Sequence, residues 1–143
     1  MRQTHKTVLI LFLFCVSLLH LGCGEKTAPM GDQYPVLRVG MVIGLKSEKI
    51  EDYKDVHADS NPGVRDLLSK YHIHNFSIYL QEIDGKWYEF AYYEYTGQDY
   101  EEDMALLAAE PRNIEWLKIC DPMQIPLPGS DSWTHMTRVY FNE

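Results

Sequence analysis

The sequence is poor in cysteine and in basic residues, and each shortage excludes a class of protein. Only 3 cysteines occur in 143 residues, and 13 lysines and arginines stand against 21 aspartates and glutamates, for a net charge of −8. Nucleic-acid binding needs a basic surface that displaces counterions from phosphates, so this charge balance argues against it. The same acidity disfavours attachment to anionic membranes through a polybasic patch.

Sequence motifs of catalysis are also scarce. The sequence has no glycine-rich phosphate-binding loop, no nucleophile elbow and no cysteine cluster with zinc-binding spacing. A length of 143 residues fits one ordinary domain. Any active site is therefore expected to be built from separate residues of a single domain.

The longest apolar run lies at the N-terminus. Arg2 and Lys6 precede residues 8–19, which are almost wholly apolar, and Gly22-Cys23 and a polar stretch follow. A run of this length is too short to span a bilayer and is typical of the core of a secretory signal. The whole pattern resembles a bacterial lipoprotein signal, in which cleavage before the cysteine leaves that residue to carry lipid.

The sequence is therefore predicted to consist of three segments. Residues 1–22 are a signal peptide, residues 23–35 a tether and residues 36–143 the working domain. The protein is expected to be exported, to the periplasm or the outer surface, and to contact a membrane only through a lipid on Cys23. Plain secretion and an uncleaved anchor are the alternatives. Loss of the signal would remove two basic residues and no acidic one, so the domain is more acidic than the whole chain.

The cysteines also indicate how the domain is stabilised. Cys15 would leave with the signal, Cys23 would carry lipid, and Cys120 would remain alone. No disulfide can then form within the mature chain, so an apolar core must hold the domain together. Dimerisation would add buried surface to a domain of this size.

Hydrophobic periodicity predicts a mixed α and β domain. Alternation of apolar residues predicts strands over residues 37–45, 74–83, 86–95 and 133–141. Helical spacing predicts helices over residues 48–58, 64–71, 99–109 and 111–120. Ser47 is the expected N-cap of the first helix, and Asp84-Gly85 predicts a tight hairpin. The order β-α-β-β-α-β is that of the ferredoxin-like α+β fold.

The third predicted strand carries aromatic residues on both faces. Trp87, Tyr93 and Tyr95 alternate with Tyr88, Phe90 and Tyr92. A strand of this kind is expected to be covered on both sides. The helices can cover one side, and the sheet of a second subunit is the economical cover for the other, which predicts a homodimer.

Histidines are the first candidates for chemistry. His72 and His74 lie two residues apart at a strand entrance and could share a metal ion, but no third ligand is evident. The alternative is that they are partly exposed structural residues. His135 lies in the last predicted strand, where nothing local decides its role.

Tyr53 and His57 form a second arrangement. They are four residues apart on the first predicted helix, so their side chains lie on one face, one turn apart. His57 is near the helix end, where the helix dipole is expected to favour the protonated imidazole. Such an imidazole can exchange protons at neutral pH, and the phenol can orient a hydroxyl. By spacing alone, a simple packing pair is the favoured alternative. Trp116 is either a core residue or a platform for a sugar ring.

Taken together, these residues resemble the L-rhamnose mutarotase family. The resemblance extends over residues 37–142 and rests on Met41, the run Tyr53-Lys54-Asp55-Val56-His57, Pro62, the run His74-Asn75-Phe76-Ser77-Ile78-Tyr79, Trp116-Leu117-Lys118 and Val139-Tyr140. It implies a dimeric α/β barrel made by two ferredoxin-like sheets. It also implies an enzyme that interconverts the α and β anomers of a monosaccharide without a metal or organic cofactor.

The resemblance further implies roles for individual positions. His57 matches the family's catalytic proton donor, and Tyr53 matches a substrate-binding tyrosine. Phe76 stands where the family has another substrate-binding tyrosine. Trp116 matches the first of two tryptophans that contact the substrate, and Leu117 replaces the second.

Three departures from the family pattern bear on the substrate. Phe76 lacks a hydroxyl, a loss on the order of 1 kcal/mol. Leu117 lacks a stacking surface, and Asn61 stands where a tryptophan commonly precedes the proline. The leading hypothesis is an exported mutarotase of L-rhamnose or a related sugar, and the alternative is a non-catalytic sugar-binding or interaction module on the same barrel. A small oxygenase or dismutase-like enzyme is a third, which fold analogy alone permits.

Overall fold

The structure, a computed structural model, describes residues 35–142. The predicted signal peptide over residues 1–22, the lipid-bearing Cys23 and the tether up to residue 34 lie outside the described residues. Within residues 35–142, no helix is long and apolar enough to cross a membrane.

Strands and helices follow one another in the predicted order. The strands are β1 (Leu37–Leu45), β2 (Ile73–Ile83), β3 (Lys86–Tyr95), β4 (Gln124–Ile125) and β5 (Thr134–His135). The helices are α1 (Ile50–His57), α2 (Arg65–Lys70), α3 (Tyr100–Ala109) and α4 (Pro111–Cys120), with single 3-10 turns at Ser47–Lys49 and Asp121–Met123. The prediction of a β-α-β-β-α-β domain is confirmed.

The strands form one antiparallel sheet in the order β2-β3-β1-β4, with β5 also paired to β1. Strands β1 and β3 pair over almost their whole lengths, starting from Leu37 opposite Tyr95. Asp84 and Gly85 both adopt positive φ, 51° and 74°, in the tight turn between β2 and β3. The first strand thus lies inside the sheet, between the third strand and the last ones, as in the ferredoxin-like fold.

The helices cover one face of the sheet and form the core there. Alternate side chains of the two central strands are buried on this face: Val39, Met41, Ile43, Leu45, Glu89, Ala91, Tyr93 and Tyr95. Leu67 of α2 and Leu107 of α3 pack against one end of this row. Tyr53 of α1 and Met123 pack against Leu45 at the other end. The core therefore places the end of α1 beside the sheet.

The predicted N-cap at Ser47 is wrong. Ser47 lies inside the first 3-10 turn, and neither that turn nor α1 has a side-chain cap. The amide of Lys46 instead donates to the carbonyl oxygen of Met123 at 2.9 Å, and the amide of Lys49 donates to the carbonyl oxygen of Lys46 at 2.9 Å. Backbone hydrogen bonds, rather than a hydroxyl cap, therefore fix the chain just before α1.

The predicted last strand over residues 133–141 is wrong in length. Only Thr134–His135 pairs with β1, and one further backbone bond joins the Met136 amide to that strand at 2.8 Å. Beyond it, Val139 and Tyr140 are 92% and 77% exposed. Alternation shows that residues can form a strand, but the strand also needs a neighbouring edge and a surface that buries one face. Beyond residue 136 the described chain forms no strand pairing, and the exposure of Val139 and Tyr140 shows that no surface buries these residues.

Candidate functional site

A cavity of about 450 Å³ opens where the end of α1, helix α2 and the start of β2 meet. Its polar lining consists of His57, Asn61, Arg65, Ser69, His74 and Asn75. Its apolar lining is larger and consists of Val56, Pro62, Gly63, Val64, Leu68, Ile73, Phe76, Ile78 and Trp116. An apolar wall with a few polar groups, in a volume of this size, is typical of a small-molecule site.

His57 is the last residue of α1, and its ring is fixed on three sides. Its Nδ1 lies 2.9 Å from the carbonyl oxygen of Tyr53. Because a carbonyl oxygen only accepts, Nδ1 carries the proton, and Nε2 is the nitrogen left for a ligand. The ring stacks on that of Tyr53 at 4.1 Å and 28°, and it meets the ring of Trp116 edge-on at 5.2 Å and 75°.

The expectation that the helix end favours the protonated form of His57 is wrong. Burial lowers the pKa of His57 below 6.5, and the nearby charge of Arg65 lowers it further, although the hydrogen bond to Tyr53 opposes the shift. Desolvation and a neighbouring cation outweigh the helix dipole here. The neutral imidazole, with a free lone pair on Nε2, is therefore the form present at neutral pH.

Arg65 closes the end of α1 at the edge of the cavity. Its Nη1 donates to the carbonyl oxygen of Asn61, and its Nη2 donates to the carbonyl oxygens of His57 and Ala58 at 3.1 and 3.3 Å. The last carbonyl groups of a helix have no partner within it, and Arg65 supplies one to the carbonyl oxygen of His57, the last residue of α1. Arg65 thus fixes the backbone that carries His57.

A bulge in β2 brings two more side chains to the cavity. Asn75 and Phe76 together oppose Tyr93 of β3, so β2 carries one extra residue at this point. Asn75 has a φ of 51°, and its Nδ2 donates to Oε2 of Glu94 at 2.8 Å. The Phe76 ring lies 5.9 Å from that of Tyr93. The bulge, held by the Asn75–Glu94 bond, directs Phe76 into the cavity wall.

Trp116 of α4 reaches the cavity because a glycine leaves room for it. Gly63 has a φ of +53°, and a Cβ there would lie 3.1 Å from the Trp116 ring. Any larger residue would be strained in this conformation and would press on the indole. Trp116 therefore lies between Gly63 and His57, with part of its surface on the cavity.

The structure brings together some of the predicted site residues and leaves others outside. His57, Phe76 and Trp116 line the cavity. Tyr53 is 3% exposed and lies behind His57, outside the lining, with its hydroxyl interacting with Glu89. Leu117 is 39% exposed and also lies outside the lining. Substrate binding by Tyr53 and by Leu117 stays a prediction.

Sequence reasoning missed Arg65, Asn75 and Glu89 as parts of the site. Glu89 had a signal, since alternation places it on the inward face between Trp87 and Ala91. Asn75 had a weaker one, because asparagine tolerates positive φ. No sequence signal identifies Arg65, because it donates hydrogen bonds to carbonyl groups whose position depends on how the helices pack.

The histidine pair lacks further metal ligands in the described part of the chain. Within residues 35–142, no group of three or more histidine, cysteine, aspartate or glutamate side chains could hold a metal ion. His74 lines the cavity, while His72 is exposed and its ring lies 6.4 Å from that of Tyr95.

Comparison with known proteins gives matches over the described domain. The model of the L-rhamnose mutarotase family (rhaM) matches residues 38–141. An L-rhamnose mutarotase of Lactiplantibacillus plantarum is 36% identical over 59 residues, which are 41% of this chain and 55% of that protein. The chain thus aligns with about half the length of this curated relative. The crystal structure of L-rhamnose mutarotase FA22100 from Formosa agariphila superposes with a TM-score of 0.57 at 20% identity, over 75% of this chain and 99% of that one, and shows the shared fold.

Proposed function

The chain belongs to the L-rhamnose mutarotase family, and on this basis we propose that it is a sugar mutarotase acting on L-rhamnose or a related sugar without a cofactor. The observation that carries the proposal is His57. It is a neutral imidazole, held through one ring nitrogen, on the wall of a cavity of about 450 Å³. Such a group can both take and give a proton near neutral pH.

The reaction needs two proton movements and no redox step. Nε2 of His57 takes the proton of the anomeric hydroxyl as the bond between C1 and the ring oxygen breaks and a carbonyl forms at C1. The resulting imidazolium gives a proton to the ring oxygen, which matches the proton-donor role implied by the family resemblance. Rotation of the carbonyl and the reverse steps close the other anomer. Meanwhile the Tyr53 carbonyl oxygen keeps accepting from Nδ1–H and stabilises the imidazolium.

The remaining walls suit a deoxy-sugar. Part of the Trp116 ring faces the cavity and offers an apolar surface to the C–H face of a pyranose. Leu68, Ile73 and Ile78 give an apolar wall for a methyl group. Asn75 and Ser69 supply polar groups for hydroxyls.

The proposal is tested by anomer exchange on a panel of sugars. Saturation-transfer NMR would compare L-rhamnose, L-fucose, D-glucose and D-galactose with and without the protein. We expect faster exchange for at least one 6-deoxy sugar at a protein concentration far below that of the sugar. Exchange at the buffer rate for every sugar would show that the protein is not a mutarotase of these substrates.

Phe76→Tyr is expected to tighten sugar binding. The added hydroxyl would restore a donor at the cavity wall, worth about 1 kcal/mol or about fivefold in Kd. Calorimetric titration with the sugar that exchanges fastest measures it. Phe141→Tyr, outside the cavity lining, is the matched control and should leave Kd unchanged. An equal Kd for Phe76→Tyr and wild type would mean that the hydroxyl of the family tyrosine is not needed here.

Gly63→Ala is expected to weaken sugar binding through Trp116. Alanine at a φ of +53° costs about 1–2 kcal/mol of stability, and its Cβ would push the indole out of place. Gly129→Ala is the control, because Gly129 has a φ of +84° with nothing within 4 Å of its Cβ position. Urea unfolding should show similar losses for both, while only Gly63→Ala raises the Kd. Unchanged sugar affinity in Gly63→Ala would exclude Trp116 as a sugar platform.

A non-catalytic sugar-binding module is the second candidate. It is favoured by Phe76, which brings an apolar ring to the cavity where the family resemblance implies a hydroxyl. It predicts thermal stabilisation by a sugar that persists in His57→Ala, with no exchange catalysed by either protein. Loss of both signals would exclude both candidates.

We also propose that the protein works as a homodimer. The face of the sheet opposite the helices carries half-buried Tyr88, Phe90 and Tyr92, and Tyr79 is 65% exposed. Burial of these rings against the same face of a second copy would remove apolar surface from water. Light scattering should give twice the chain mass for wild type and a lower mass for Tyr79→Glu. A wild-type monomer at micromolar concentration would contradict the proposal.

Export and lipid attachment are a further proposal, supported by the sequence of residues 1–23. Cys23→Ser in the full chain should abolish incorporation of a labelled fatty acid and move the protein from the membrane to the soluble fraction. Equal labelling of both proteins would reject lipidation of Cys23. Retention of wild type in the cytoplasm would reject export.

A further inference from the structure

A fully buried carboxyl group lies behind the site, on the inward face of β3. Glu89 is 0% exposed and sits opposite Ile43 of β1 and Leu80 of β2. An isolated carboxyl group in such surroundings is costly, and interiors normally pair it or replace it by an apolar residue. The presence of Glu89 in the core therefore suggests that neighbouring groups interact with its carboxyl group.

The neighbours of Glu89 come from two elements. Gln124 of β4 donates from Nε2 to Oε2 at 3.1 Å. The hydroxyl of Tyr53 from α1 lies close enough to lower the pKa of the carboxyl group, as Gln124 does, while Oε1 has no hydrogen-bond partner within residues 35–142. Neither neighbour is cationic, so burial prevails and raises the pKa of Glu89 to about 7.

Tyr53 connects this carboxyl group to the imidazole. Its ring stacks on His57 at 4.1 Å, and its carbonyl oxygen accepts the Nδ1 proton at 2.9 Å. Tyr53 thus sets both the plane of the His57 ring and the nitrogen that carries the proton. The Tyr53 hydroxyl, at the far end of the ring, lies near Glu89 in the core, where that carboxyl group raises the pKa of the tyrosine.

We propose that Glu89 is a positioning residue of the site: by holding the hydroxyl of Tyr53, it fixes the plane and the tautomer of the His57 imidazole and so keeps Nε2 turned to the cavity. Its effect on anomer exchange rests on the proposed function, whereas its effect on the imidazole does not. Glu89 itself lies outside the cavity lining and touches no substrate.

The direct test is ¹⁵N NMR of the histidine side chains, which reports the protonated nitrogen and needs no activity. At pH 8 we expect His57 to be protonated on Nδ1 in wild type and in Glu89→Gln, whose amide can still hold the Tyr53 hydroxyl. Glu89→Leu and Tyr53→Phe keep the carbonyl oxygen of residue 53 but release the ring on which His57 stacks. We therefore expect the imidazole to turn partly away from that oxygen, and a mixture of the two tautomers to appear. Glu82→Leu, at an exposed position of β2, is the matched control. A pure Nδ1–H tautomer in both Glu89→Leu and Tyr53→Phe would overturn the proposal.

Kinetics give the second arm. Glu89→Leu should lower kcat by at least about 10-fold with little change in KM, because a misplaced proton-transfer group costs rate more than binding. Glu89→Gln should recover most of that loss, and adding Tyr53→Phe to Glu89→Leu should cost little more. Fully additive losses would overturn the link through Tyr53. If wild type itself catalyses no exchange, the proposed function fails, and the imidazole spectra still decide the positioning role.

Discussion

Replacing His57 with alanine is expected to lower the catalysed rate of anomer exchange by about 10²–10⁴-fold, the range that a positioned acid–base group contributes. The cavity would keep Trp116 and Phe76, so the Kd for the sugar should change much less than kcat. Saturation-transfer NMR measures the rate, and calorimetry measures the Kd. The control is the exposed His135, and His135→Ala should catalyse anomer exchange at the wild-type rate.

The pH dependence follows from the state of the same imidazole. Burial and Arg65 hold the pKa of His57 below 6.5, and the reaction starts from the neutral ring. The enzyme-catalysed rate, after subtraction of the buffer rate, should therefore be level above pH 6.5 and should fall as the pH drops through the lowered pKa. Arg65→Gln removes one of the two causes and should move this fall to higher pH. An activity that rises on acidification below pH 6 would mean that the protonated ring starts the reaction, contrary to the mechanism above.

The local hydrophobic pattern of the sequence is sufficient to predict the central strands and most helices. The alternation over residues 86–95 predicts β3 with the bounds that the structure has, because both neighbours, β1 and β2, complete the sheet around it. The same alternation over residues 133–141 predicts too long a strand, because within this segment only Thr134–His135 pairs with β1. What separates the two segments is the presence of partners on the sheet, which no local pattern contains.

The site was predictable only where its geometry is local. The stacking of Tyr53 on His57 follows from a spacing of four on one helix, which places the two side chains on one face. The bulge at Asn75 depends on the register between β2 and β3. Arg65 acts through carbonyl groups of another helix. Both features depend on how separate elements meet, so they became visible only in three dimensions.

Glu89 gives the second large effect, a loss of stability as the pH rises. In the folded protein burial raises its pKa from 4.5 to about 7, so between these values the folded state keeps a proton that the unfolded state has released. The stability that Glu89 contributes is therefore complete below pH 4.5 and is lost as the pH rises through about 7. A shift of this size is worth about 3 kcal/mol. The free energy of unfolding of wild type, relative to that of Glu89→Gln, should fall by this amount between pH 4.5 and pH 8.

The comparison with Glu89→Gln isolates this one group, because other carboxylates change stability in the opposite direction. Hydrogen bonds lower the pKa of Glu94 and of Glu110, so their contributions are lost as the pH falls. Wild type and Glu89→Gln both contain Glu94 and Glu110, so the contributions of these two groups cancel in the difference between the two free energies of unfolding. Urea unfolding at intervals of half a pH unit measures it, with Glu82→Gln, at an exposed site, as the control that should stay parallel to wild type. A constant difference between wild type and Glu89→Gln across this range would show that Glu89 is already ionised in the folded protein. Tyr53 and Gln124 would then be holding a buried charge in place rather than a neutral carboxyl group.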